Sequence, residues 1–314
     1  MRILIMGGTR FVGVYLTRLL CEQHEVVLFN RGNQPAPVEG VQQIHGDRTD
    51  AAQLKRLLQD QRFDAIFDNN GRELTDTQPL AEIFKDRIKH FVYLSSAGVY
   101  LQSDQMPHVE GDGVDPQSRH KGKHETEVYL AEQGLPFTSI RPTYIYGPKN
   151  YNDLEAWFFD RIVRDRPIPI PGNGLHITQL GHVEDLAQAM ANVLDNRQAI
   201  GQIYNISGDR YCTFDGLARS CAIAAKKSPA DLEIIHYDPK KFDFGKQKAF
   251  PLRTQHFFAS IQKATRELHW TPKFDLVSGL QNSFQQDYLP SGRAQATVNF
   301  SVDDEILQAV KRLP

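Results

Sequence analysis

The stretch RILIMGGTRFVG, residues 2–13, decides the fold. Arg2 to Met6 reads as a buried strand, and Gly7-Gly8 ends it. Beyond the turn, Val12, Leu16, Leu19 and Leu20 fall at offsets of 4, 7 and 8, which is one face of a helix. Strand, glycine turn and helix in that order suit a dinucleotide. One glycine permits the bend, a second lets a pyrophosphate approach the backbone, a third lets the helix pack on the strand, and helix-end N–H groups hold the phosphates. Gly7, Gly8 and Gly13 are in place, and Arg10 stands at the middle position. A plain structural turn would use the same glycines, so both readings stand at this point.

Outward from the turn, short apolar runs alternate with helical patterns: VVLFN, then 50–60, AIFD, 76–87, FVYLSS, 118–133 and FTSIRP. That alternation implies βαβ units and an α/β, doubly wound parallel sheet of the Rossmann type. Proline and glycine in RPIPIPGNG, 166–174, interrupt it. The reading is a nucleotide-binding domain over 1–165, with part of 176–206 returning to it, a smaller mixed lobe over 166–290, and a tail over 291–314.

The 314 residues carry a formal charge of −2, so polyanions meet no net attraction and a nucleic-acid site must be a local basic patch. Cys21, Cys212 and Cys221 form no CxxC or Cys/His pattern, which suits a reducing compartment and argues against a disulfide framework or thiolate zinc site. A core strand directly after Met1, with no run of about 18 apolar residues, makes the expectation a cytoplasmic protein with no membrane partner. About 20 residues past the turn, where an acidic side chain would grip the ribose of NAD, the strand ends in Asn30-Arg31; Arg31 suits the 2′-phosphate of NADP, or is a plain solvated arginine.

The segments GGTRFVG (7–13), GDRTD (46–50), YLSSAGVY (93–100), RPTYIYGP (141–148), HVEDLA (182–187), YNISG (204–208) and WTPKFDLVSGL (270–280) resemble, in this order, the extended short-chain dehydrogenase/reductases, which include nucleotide-sugar epimerases and dehydratases. That resemblance implies a nucleotide held by Gly7, Thr9, Arg10, Phe11, Val12 and Gly13, with Asp47 at the adenine and Ser96 at a substrate oxygen. Redox chemistry in this superfamily needs Tyr-x-x-x-Lys on one helix face, the ammonium lowering the phenol's pKa. In SRHKGKHETE, 118–127, Lys123 and Glu127 are kept and the tyrosine position is Arg119. A guanidinium stays protonated and cannot exchange that proton. Arg119 and Lys123 would also set two cations on one helix face, which suits an anion between them.

With NGRE (70–73), DPQSRHKGK, WFFDR, QLGHVEDLA, FDFGKQKAFP and QHFFAS added, the chain resembles one branch, the chloroplast stem-loop binding proteins and their cyanobacterial relatives. The resemblance implies RNA binding, endonucleolytic cleavage of stem-loop RNA, and association with ribosomes, rRNA or transcription, with NADP retained or vestigial. Two regions could serve RNA. Lys240, Lys241, Lys246, Lys248 and Arg253 interleave with Tyr237, Phe242, Phe244, Phe250, Phe257 and Phe258, the composition of a single-strand surface; the same phenylalanines could equally fill the core of the lobe. Arg119, His120, Lys121, Lys123 and His124 could hold phosphate and supply acid–base groups, with Ser96, Arg119, His120 and Lys123 as the catalytic set, or form a solvated helix start. Glu110, Asp112 and Asp115 could take magnesium for cleavage, though no spacing marks a resident metal.

Two alternatives remain open. One is an NADP-dependent nucleotide-sugar epimerase or reductase drawing its proton from Tyr100 or Tyr144. The other is a non-catalytic scaffold bound to ribosome or polymerase. The oligomeric state is open too; a homo-oligomer of the kind common to the resembled fold would pair through two long helices, here 76–87 and 118–133.

Overall fold

The computed structural model describes residues 1–311. Its chain divides into two compact units, the first comprising 1–145, 183–207 and 259–272, the second 146–182, 208–258 and the chain from Lys273 onward. The stretch 183–207 returns to the first unit, as expected for part of 176–206, and 259–272 returns as well. The helix Glu155–Ile162 falls in the second unit.

The first unit holds a seven-stranded sheet. Its strands are β1 (Arg2–Met6), β2 (Glu25–Asn30), β3 (Gln42–His45), β4 (Ala65–Asp68), β5 (His90–Leu94), β6 (Phe137–Pro142) and Gln202–Ile206. Their order runs from Gln202–Ile206 through β6, β5, β4, β1 and β2 to β3, every pairing parallel. Successive side chains of β1 go to opposite faces. Ile3 and Ile5 meet α1 (Val12–Cys21), the helix Val183–Ala191 and Trp270. Leu4 and Met6 meet α2 (Ala51–Leu58), α3 (Leu74–Phe84) and α4 (Lys121–Glu132). Helices on both faces leave the strands no polar side, which is why they read as continuous apolar runs. This is the doubly wound sheet expected from the alternation.

Two devices fix where the helices stand. A Cβ on Gly13 would lie 2.7 Å from Gly8 Cα and N, so only glycine lets α1 sit this close to the turn. On the far side, Glu127 of α4 is buried with Arg141 of β6. Its carboxylate accepts from Arg141 Nε at 3.0 Å and Nη2 at 2.5 Å, and from Ser139 Oγ at 2.7 Å. Arg141 also lies over the Tyr100 ring, whose hydroxyl donates to Asn205 Oδ1 at 2.7 Å, so one buried charge pair ties α4, β6 and Gln202–Ile206 together.

The second unit is mixed. Ile168–Pro171 pairs in parallel with Ile234–Tyr237, and Ile177–Thr178 antiparallel with Cys212–Thr213. Trp157, Phe158 and Phe250 pack edge to face, and Phe214 tilts against Phe250, forming an aromatic core. The segment read as an appended tail is integrated through the helix Ser301–Lys311, where Ile306 is buried and Asp303 accepts from Arg161 Nη2 at 2.7 Å; 312–314 lie outside the described residues. No helix among the described residues is long and apolar enough to cross a membrane.

Burial works against the Glu127 carboxylate, yet the hydrogen bonds from His124, Arg141 and Ser139 hold its pKa at about 2, below the ordinary 4.5. A depressed acid contributes its stability above the unfolded pKa and loses it as pH falls through the folded value. Glu127→Ala should therefore cost about 3–5 kcal/mol at neutral pH, because Arg141 is left buried and unpaired. Urea unfolding should show that gap narrowing as pH drops from 4.5 towards 2.

Candidate functional site

The carboxyl ends of a parallel sheet are where open α/β folds hold ligands. In the first unit they carry the Gly7–Gly13 turn after β1, Arg31 after β2, Asp47 after β3, Asn69-Asn70-Gly71 after β4, and Ser95-Ser96 after β5. Gly7 and Gly8 have φ of +97° and +87°, open to glycine and strained for other residues. Gly13 N–H donates to the Arg10 carbonyl at 2.9 Å. Residue 10 thus serves the turn through its backbone, and an exposed arginine is accommodated where the pattern has glycine. Phe11, buried at φ 40°, holds a backbone strain of about 1–3 kcal/mol immediately before α1.

The edge fits a nucleotide. Besides the turn, the Asn69 amide and the Ser95 hydroxyl are buried there without hydrogen-bond partners, where polar groups ordinarily find one. Arg31 stands near enough to favour the Asp47 carboxylate, although the main causes of its lowered pKa are hydrogen bonds from the Thr49 N–H and hydroxyl. Asn30 is committed to its own turn, accepting from Gly32 N at 2.7 Å.

The catalytic set is assembled differently from the sequence expectation. Arg119 does not lie on a helix face with Lys123. The helix begins at Lys121 with His120 as N-cap, because Ser118 Oγ donates to Gly98 O at 2.7 Å and accepts from His120 N at 3.1 Å, holding 118–120 as a turn. Arg119 is exposed, and its Nε donates to His120 Nε2 at 3.1 Å. Ser96 accepts from Gly98 N at 3.0 Å, so Ser96, Arg119 and His120 share one pair of linked turns. Lys123 Nζ donates to Gly71 O at 2.9 Å and Leu94 O at 2.6 Å, bracing the ends of β4 and β5. Gly122 permits this, since a Cβ there would fall 2.9 Å from the Arg72 carbonyl.

Tyr100 does not supply the missing phenol. It is buried, bonded to Asn205, stacked on His108 at 4.8 Å, and pushed up to about 12, chiefly by burial. The three acids weighed for magnesium accept backbone hydrogen bonds: Glu110 from the distant Asn205 N, and Asp112 and Asp115 locally from Val109 N and Gln117 N. Among the described residues no group of three His, Cys, Asp or Glu is placed to hold a metal.

Sequence reasoning missed Arg48 and Asp68. The guanidinium meets the buried carboxylate at 2.6 and 2.9 Å and bonds Asn70 Oδ1, while Thr77 Oγ1 donates to Asp68 at 2.7 Å. The only sequence signal was an aspartate closing an apolar strand, AIFD.

In the second unit, Lys240, Lys241, Lys246 and Lys248 are all exposed, and Phe242 and Phe244 stack at 5.6 Å while only partly covered. Tyr237, Phe250 and Phe257 are buried, and Arg253 is partly buried over the Phe257 ring at 4.7 Å. The strip is therefore divided: its lysines and middle phenylalanines face outward, and its ends build the core.

Desolvation lowers the Lys123 ammonium from 10.5 to about 8. An amine depressed in the fold disfavours the native state below its folded pKa, and stability rises with pH between the folded and unfolded values. Carbon-13 spectra of labelled lysines should show one titration near pH 8 that is absent in Lys123→Met.

A family model described as the NAD dependent epimerase/dehydratase family matches residues 3–207. The chain is 50% identical, over 98% of its own length and 84% of the other, to the chloroplast stem-loop binding protein of 41 kDa b of Arabidopsis thaliana. Its fold is similar to that of a UDP-glucose 4-epimerase of Thermotoga maritima, solved with UDP-glucose, at TM-score 0.77 and 21% identity over 93% of this chain and 99% of that one. It is likewise similar to a dTDP-glucose 4,6-dehydratase of Bacillus anthracis in complex with NAD, at TM-score 0.75 and 20% identity over 93% and 98%. The parallel sheet, the Gly7–Gly13 turn and these matches together establish that the chain belongs to the NAD dependent epimerase/dehydratase family, in the branch of the chloroplast stem-loop binding proteins.

Proposed function

We propose that this protein binds stem-loop RNA on a dehydrogenase scaffold, with cleavage of that RNA in a ribosomal or transcriptional setting as the finer reading. The observation that carries the reading is the outward strip of Lys240, Lys241, Lys246 and Lys248 around the half-covered Phe242–Phe244 stack, cations for phosphate beside rings for bases. The stem-loop binding relative supports it. So does the loss of the proton relay: Arg119 replaces the phenol, and Lys123 is committed to two carbonyls. Arg119 and His120 supply a cation and an imidazole in contact, the parts that phosphodiester chemistry asks for. Free thiols at Cys21, Cys212 and Cys221 suit the reducing cytoplasm.

The partnerless Asn69 and Ser95 groups favour a retained nucleotide as well. In this reading NADP sits at the turn as a bound effector, Arg31 meeting its 2′-phosphate and Asp47 its adenine. Arg31→Ala should then erase a preference for NADPH over NADH measured by calorimetry, and equal binding of the two by the unaltered protein would remove that assignment. For RNA, neutralising Lys240, Lys241, Lys246 and Lys248 together should reduce the slope of log K against log salt by about 0.7 for each lysine that touches phosphate. An unchanged slope would move the interface elsewhere.

A further inference from the structure

Both ends of the basic strip meet one cavity of the second unit. Gly172, Asn173, Leu175, His176 and His256 line a space of about 480 Å³, room for a nucleobase. Gly172 N–H donates to the Tyr237 carbonyl at 2.8 Å, three residues before Lys240, and His256 closes the strip on the other side. The floor is rigid. A Cβ on Gly174, at φ +74°, would fall 2.0 Å from Asp215 Oδ1, and that carboxylate is held by His236 Nε2 at 2.9 Å.

The lining combines flat apolar surface with hydrogen-bond donors. The His176 and His256 rings stand 5.4 Å apart, and Leu175 is 58% exposed, an apolar side chain with no core to enter. His256 Nδ1 accepts from Ile177 N at 2.9 Å, so the proton of its neutral ring lies on Nε2, a donor. Asn173 Oδ1 accepts from Leu175 N at 3.1 Å, which leaves the amide nitrogen as the second donor. Burial and the neighbouring His256 lower the His176 pKa, so that ring is neutral at physiological pH and suits a base better than a phosphate.

We propose that this cavity is a base-reading subsite for single-stranded RNA, taking guanine with its face against Leu175 and the His176 ring and its edge towards His256 Nε2 and Asn173 Nδ2, which donate to O6 and N7. Guanine is the base that shows two adjacent acceptors on one edge; adenine places its N6 donor beside N7, facing a donor in the pocket. The proposal rests on the RNA reading above and adds sequence selectivity to it.

The test compares a ten-residue oligoadenosine with the same RNA carrying one central guanosine, at fixed salt so that the phosphate contribution cancels. The guanosine should tighten binding about tenfold, and 7-deazaguanosine, which lacks the N7 acceptor, should give back most of it. His256→Phe, which keeps a ring and removes the donor, and Asn173→Ala, at an exposed position, should each flatten the difference while leaving the salt slope intact. Equal binding of both RNAs by the unaltered protein overturns the subsite and leaves RNA binding standing, as does a preference that survives in both variants. Failure of both RNAs to bind at low salt overturns the single-strand subsite, and failure of a stem-loop RNA to bind as well overturns the RNA reading with it.

Discussion

Lys123 holds the functional edge of the sheet together by donating to the carbonyls of Gly71 and Leu94. An ammonium taken this far from water keeps its proton at a cost, seen in a pKa lowered to about 8, and the two carbonyls with buried Asp68 offset that cost. The lysine thereby becomes a brace between β4 and β5. Asp68 in turn is fixed by Arg48 and Thr77, so the loops after β3, β4 and β5 form one charge-linked group.

From that brace the character of the site follows. A relay for hydride chemistry needs a phenol one helical turn from the ammonium. Here the chain before α4 is a turn fastened to Gly98 through Ser118, with Arg119 exposed and His120 half-buried beside it. The nucleotide turn survives beside it, with Gly8 and Gly13 in close approach and two polar groups left without partners. In the proposed reading this edge of the first unit holds a nucleotide, and the exposed lysines of the second unit meet a longer polyanion.

The lysines that carry the RNA reading are all exposed, while half the aromatics interleaved with them are core. Composition could not divide them, because Phe244 and Phe250 look alike in a sequence. What separates them is the neighbourhood: Phe250 meets Trp157, Phe158 and Phe214, whereas Phe244 stacks on Phe242 and stays half-exposed. The same holds for Tyr100, a proton donor by residue type and a buried strut by packing.

Legible in the chain were a parallel α/β sheet, the glycine turn and, through the family resemblance, an arginine where a phenol would stand at position 119; the short edge strand Gln42–His45 and the strand order were not. The legible features are local properties: hydrophobic period, glycine placement and residue identity at a fixed spacing. Tertiary structure decided the rest. It started α4 at Lys121, so that Arg119 and Lys123 share no helical face, and it paired Arg48 with Asp68 across 20 residues. It also gathered Asn173, His176 and His256 around one cavity from segments 80 residues apart. Partners distant in the chain leave no period to read, because the packing of whole elements, and no local preference, brings them into contact.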